Sequence, residues 1–136
     1  MIELQSAWRC LLANKSRENT GVSYNKLEHE RIKDIMDYLE KNYSNKILLE
    51  DIAEHIHLCK SECSRLFKRC MNISLFAFLQ EYRVERSLEY LLDPQYSITE
   101  IAEKAGFTDS NYYSKVFSKV KGCSPVKYRK QYVTVQ

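Results

Sequence analysis

Glycine and proline are scarce in this chain, three and two in 136 residues. That scarcity argues against a turn-rich β protein and favours helices. No stretch approaches the roughly 18 consecutive apolar residues of a membrane span, and the N-terminus lacks a basic-then-apolar export signal. A cytoplasmic protein is the expectation. The cysteine count is odd, with thiols at positions 10, 59, 63, 70 and 123, and no Cys-x-x-Cys pair occurs. This excludes the usual disulfide and zinc frameworks and points to reduced thiols. Cys59 and Cys63, with His57 nearby, supply three metal ligands and no fourth, so they read as a helix-start residue and a core thiol. A Gly-rich phosphate loop and a nucleophile elbow are both missing. His29, His55 and His57 have no partner at catalytic spacing, and the acids are spread over helix faces. No enzyme, cofactor or metal is expected.

The charge that is present is unevenly placed. Net charge is +3. Residues 1–58 hold 8 Lys/Arg against 10 Asp/Glu, and residues 59–136 hold 13 against 8. The second part of the chain is therefore mildly basic, which suits a polyanionic partner.

Apolar periodicity predicts helices and no convincing strand. Residues 2–12 space Ile2, Leu4, Trp8, Leu11 and Leu12 as one amphipathic helix, followed by a polar linker. The stretch "LEHERIKDIMDYLEKNYSN" is a first long helix, with Ile32, Ile35, Met36, Leu39 and Tyr43 on one face. Six more follow: "LLEDIAEHI", "KSECSRLFKRC", "SLFAFLQEYRVERSLEYLL", "ITEIAEKA", "SNYYSKVFSKV" and "SPVKYRKQY". Ser74, Ser97 and Ser124 are the expected N-caps, with Glu100 at capping-box spacing from Ser97 and Pro125 at a first helical position. In the long helix over 74–92, Leu75, Phe78, Leu79 and Tyr82 share one side. Val84, Leu88, Leu91 and Leu92 share nearly the opposite side, as a helix serving two cores would require. Phe76 and Tyr90 fall outside this split.

The most informative feature is a repeat. "IAEHIHLCKSECSRLFKR" at 52–69 and "IAEKAGFTDSNYYSKVFS" at 101–118 match at an offset of 49 before the turn and 50 after it. Each has Ile-Ala-Glu, an apolar residue after the helix (Leu58, Phe107), and a helix with "SRLF" or "SKVF". Gly106 stands where such a turn takes positive φ, and His57 occupies that place in the first copy at some cost in strain. In the second helix of each copy, Cys63, Leu66, Phe67 and Cys70, and then Tyr113, Val116, Phe117 and Val120, are expected to point inward. Ser61, Ser64, Arg65 and Lys68, and then Asn111, Lys115, Ser118 and Lys119, are left outside, with Tyr112 at the boundary. Short hydroxyl, amide and basic side chains on such a face suit base edges and phosphates.

These motifs, "LEDIAEHIHL…SRLFKR", "YRVERSLEYLL", "SITEIAEKAGFTDSNYYSKVFSK" and "SPVKYRK" in that order, resemble the DNA-binding domain of the AraC/XylS family of bacterial transcription regulators over residues 28 to 132. The resemblance implies an all-α, seven-helix unit of two helix-turn-helix subdomains, at about 27–73 and 93–136. A linker helix at about 74–92 joins them, and residues 1–26 form the tail of an upstream region. It implies that the third and sixth helices enter consecutive major-groove segments, with base reading by Ser61, Ser64, Arg65, Asn111, Tyr112 and Lys115, and phosphate contact by Lys68 and Lys119. Cys59-Lys60 stand where the family often has Ser-Pro, Cys63 replaces a larger apolar residue, and Met71-Asn72 lacks the usual glycine. The 19-residue linker helix spans about 28 Å at ~1.5 Å per residue, the scale of the roughly 34 Å between adjacent groove openings on one DNA face. The implied partners are double-stranded promoter DNA and RNA polymerase, with an effector ligand acting only through an upstream domain absent from this chain. The competing reading is a helical protein-interaction module that uses its tyrosine-rich faces and binds no DNA.

Overall fold

The computed structural model describes residues 26–133. The amphipathic stretch over 2–12 and the linker after it lie outside the described residues. Within them there are seven helices and no strand: α1 (Lys26–Asn42), α2 (Leu49–His55), α3 (Lys60–Met71), α4 (Leu75–Leu91), α5 (Ile98–Lys104), α6 (Ser110–Lys121) and α7 (Pro125–Val133). Each lies within a few residues of its sequence-predicted span.

The helix starts are written in local chemistry. The Ser97 hydroxyl accepts the Glu100 amide at 3.1 Å, the Asp109 carboxylate accepts the Tyr112 amide at 2.7 Å, and the Ser124 hydroxyl accepts the Lys127 amide at 3.1 Å. Each satisfies one of the orphan N–H groups of a first turn. Leu48 has no side-chain oxygen to offer at the start of α2. There the Asp51 carboxylate reaches back to accept the Leu48 amide at 3.3 Å, the other half of a capping box.

The chain divides into two compact units, residues 26–38 with 48–75 and residues 39–47 with 76–133. In the first, α2 packs on α3. Ile32, Ile35, Ile52, Ala53, Cys63, Leu66, Phe67 and Cys70 are among its buried residues. In the second, α6 packs on both α5 and α7. Its core joins Val84, Leu91, Ile101, Ala102, Ala105, Phe107, Tyr113, Val116 and Phe117.

Two expectations about α4 need correction. Leu92, assigned to the stripe with Val84 and Leu91, is 50% exposed. The Leu92 amide still donates to the Leu88 carbonyl at 3.2 Å, but the helix ends at Leu91 and the side chain of this next residue lies half in solvent. Tyr90, outside the expected split, packs against the second core, and Ser87 is fully buried there. Ser87 donates to the Val84 carbonyl at 2.6 Å and accepts from the Tyr113 hydroxyl at 2.8 Å, so both buried hydroxyls are satisfied. Burial raises the Tyr113 pKa to about 12.

Candidate nucleic-acid interface

The two sequence copies fold into the same turn. At the end of α2 the His57 amide donates to the Glu54 carbonyl at 3.2 Å, and the Leu58 amide to the Ala53 carbonyl at 2.9 Å. At the end of α5 the Gly106 amide donates to Glu103 at 3.1 Å, and the Phe107 amide to Ala102 at 2.9 Å. This pair of bonds closes a helix through one left-handed residue. His57 is that residue in the first copy (φ 59°) and Gly106 in the second (φ 92°). A left-handed conformation costs a side-chain-bearing residue about 1–2 kcal/mol, partly offset by the greater chain entropy that glycine loses. His57→Gly should therefore stabilise the fold by roughly 0.5–1 kcal/mol, read as a higher urea midpoint with an unchanged slope.

A second left-handed pair ends the two exposed-face helices. Asn72 (φ 60°) caps α3 and Gly122 (φ 81°) caps α6; their amides donate to Lys68 and Ser118 at 2.9 and 2.8 Å. Asparagine tolerates this conformation better than most residues, so the missing glycine after Met71 leaves the cap intact.

Between turn and cap, α3 and α6 repeat the same burial pattern. Cys63, Leu66 and Phe67 are buried in one, and Tyr113, Val116 and Phe117 in the other. Cys70 is buried as expected, while Val120, its counterpart, is half-buried. On the outside of α3, Ser61, Arg65 and Lys68 are exposed and Ser64 is half-buried. On the outside of α6, Asn111, Tyr112, Lys115, Ser118 and Lys119 are exposed. Each unit thus brings its own sequence-predicted residues onto one open helix face.

The faces differ in how their side chains are held. The Arg65 Nε donates to the Ser61 carbonyl at 3.4 Å, which keeps the guanidinium along its own helix. The Ser61 hydroxyl lies 3.4 Å from the Cys59 sulfur. That contact, followed by the Glu62 amide, lowers the pKa of the exposed Cys59 thiol, whereas burial raises that of Cys63. Tyr112 is anchored at both ends. Its ring meets Phe107 edge-on at 5.9 Å, and its hydroxyl accepts from the Gln80 amide of α4. Gln80 is 32 residues from Tyr112, and nothing in the local sequence pattern singles it out. Arg69 was likewise passed over; it pairs with Glu28 of α1 at 2.5 Å, and Lys60 with Glu50 of α2 at 3.0 Å.

A helix-turn-helix domain family matches residues 52–131, more than half of the chain. Relatives over nearly the whole chain are transcription regulators. The HTH-type transcriptional regulator YdeC of Bacillus subtilis is 30% identical over 129 residues, covering 95% of this chain and 44% of that protein. The chain belongs to the AraC/XylS family.

Other members agree with this. The melibiose operon regulatory protein of Escherichia coli is 28% identical over 125 residues, 92% of this chain and 41% of its own length. The C-terminal domain of AraT, a response regulator from Geobacillus stearothermophilus, superposes with a TM-score of 0.69 at 30% identity, covering 81% of this chain and 88% of that one. The DNA-binding domain of AdpA, solved with a target DNA, shares the fold at a TM-score of 0.72 and 20% identity, covering 76% of this chain and 94% of that one. The matched region is the helix-turn-helix part of such regulators, and these similarities support sequence-specific DNA binding by it. It spans less than half the length of the curated relatives it matches.

Proposed function

We propose that the outer faces of α3 and α6 enter consecutive major-groove segments of promoter DNA and read it through Ser61, Ser64, Arg65, Asn111, Tyr112 and Lys115. The supporting observation is the repeated burial pattern, which leaves equivalent positions of both helices open. In this reading Arg65 and Lys115 donate to guanine O6 and N7, and Asn111 pairs bidentately with adenine. The serine hydroxyls reach bases of either kind. Tyr112, held by Phe107 and Gln80, presents a fixed ring rather than a mobile one. Lys68 and Lys119 contact phosphates and set the register without carrying sequence information. The two helix-turn-helix subdomains, about 27–73 and 93–136, with the helix over 74–92 between them, form the unit that does this.

In the full regulator, RNA polymerase is the further partner, and an effector ligand acts through the region upstream of this domain. The protein works in the cytoplasm, where the promoter is. Among the described residues no helix is long and apolar enough to cross a membrane.

The test is a pair of variants measured on two duplexes, the best site selected from a random pool and a scrambled control. Arg65→Ala and Lys115→Ala should each weaken binding to the selected site about 10- to 100-fold, as the loss of one bidentate base contact does. Binding to the scrambled duplex should weaken much less. An unchanged ratio of the two affinities in both variants would overturn the base-reading assignment.

A further inference from the structure

The two units present similar faces but very different charge. The described residues of the first unit hold seven Lys/Arg against eight Asp/Glu; those of the second hold eleven against eight. The reading helices themselves carry the same net charge, α3 with four Lys/Arg and Glu62 and α6 with three Lys/Arg and no acid; the contrast lies in the helix packed beside each. From Leu49 to Met71, α2 and α3 carry four Lys/Arg and four Asp/Glu. From Ser110 to Val133, α6 and α7 carry six Lys/Arg and no acid. Ion pairing widens the gap. In the first unit Lys60 is held by Glu50 and Arg69 by Glu28, which leaves Arg65 and Lys68 as the α3 cations outside any ion pair. In the second, Lys121 is held by Glu85 and Arg129 donates to backbone carbonyls, while Lys115, Lys119 and Lys127 are exposed and enter no ion pair.

A duplex holds its counterions by charge alone, and each phosphate that a protein cation neutralises releases one. From this imbalance we infer that the second unit is the electrostatic anchor: it engages the DNA backbone first and supplies most of the salt-dependent affinity. The first unit adds sequence reading at little gain in counterion release. This rests on the DNA-binding reading above and gives the two half-sites unequal roles. The half-site read by α6 is the one occupied at low protein concentration in low salt, and its occupancy is the one that weakens most steeply as salt rises.

The experiment compares salt slopes on the pool-selected duplex for two double variants, Lys119→Gln with Lys127→Gln, and Lys68→Gln with Arg69→Gln, folding being checked by circular dichroism. The first pair should reduce the slope of log affinity against log salt by about two, near 0.9 per phosphate contact. The second pair should reduce it by less than about one, because Arg69 is already neutralised by Glu28. Hydroxyl-radical footprints at rising salt should weaken more steeply at the α6 half-site than at the α3 half-site. Equal slope losses from the two pairs, or an α6 footprint no more salt-sensitive than the other, would overturn the anchor assignment while leaving DNA reading intact. A chain that shifts no duplex at all would sink both.

Discussion

Gly106→Ala is expected to unfold the second helix-turn-helix, with a stability loss of more than about 4 kcal/mol, in the range that only a few mechanisms reach. Two of them act here together. The residue has φ 92°, a conformation in which an L side chain is strained. The added Cβ would also overlap the Tyr43 carbonyl oxygen and come within 2.9 Å of the Arg83 Nε and 3.2 Å of the Ser44 Cα. Neither neighbour can give way easily. Arg83 Nε donates to that same Tyr43 carbonyl at 2.9 Å, and its Nη2 donates to the Asn45 carbonyl at 3.0 Å. This guanidinium is desolvated, which lowers its pKa from the ordinary value. Pushing it aside costs a half-buried guanidinium both of its carbonyl partners. Urea denaturation followed by circular dichroism measures the loss; a change below about 1 kcal/mol would mean that the turn relaxes at no great cost. The contrast with His57 is instructive. The same turn position accepts an imidazole at φ 59° in the first copy and has no room for a methyl group in the second.

Arg129→Ala should cost about 2–4 kcal/mol, because the guanidinium serves three acceptors at once and hydrogen bonds to a charged group are the stronger kind. Its Nε donates to the Leu91 carbonyl at 2.8 Å, and its Nη2 to the Tyr96 and Asp93 carbonyls at 2.7 and 3.4 Å. Leu91 is the last residue of α4, so one of these acceptors is an orphan carbonyl of a helix end. The side chain ties α7 to that end and to the loop that leads into α5. Arg129→Lys should recover little of the loss, since a single ammonium cannot span the planar fork. Affinity for the selected duplex, measured well below the melting temperature, should change less than about threefold, because Arg129 holds its own backbone rather than reading a base. A variant as stable as the parent would show that solvent replaces these bonds without penalty.

The elements themselves were legible because their signals are local. Apolar spacing, Ser97, Ser124 and Pro125 mark α1 to α7 to within a few residues. The exposed faces were legible for the same reason: once 63, 66 and 67 are placed inward, 61, 65 and 68 have nowhere to go but out. Ser87 was not legible, since a lone hydroxyl in an apolar stripe looks like a surface residue until Tyr113, 26 residues away, arrives to bond it. Tyrosine is no guide to burial here either. Only Tyr82 and Tyr113 are buried among the described tyrosines, the rest lying part-exposed or at the surface. An amphipathic ring serves at a rim as well as in a core.

What the amino-acid order determined alone was the helical period, the caps, the doubled motif and the outward residues, all consequences of forces acting over three or four positions. The tertiary structure decided which cations remain unpaired, which carbonyl a glycine must admit, and which amide holds Tyr112. Those partners lie ten to sixty-three residues apart along the chain, and only folding brings such groups within the few ångströms over which a hydrogen bond or an ion pair acts.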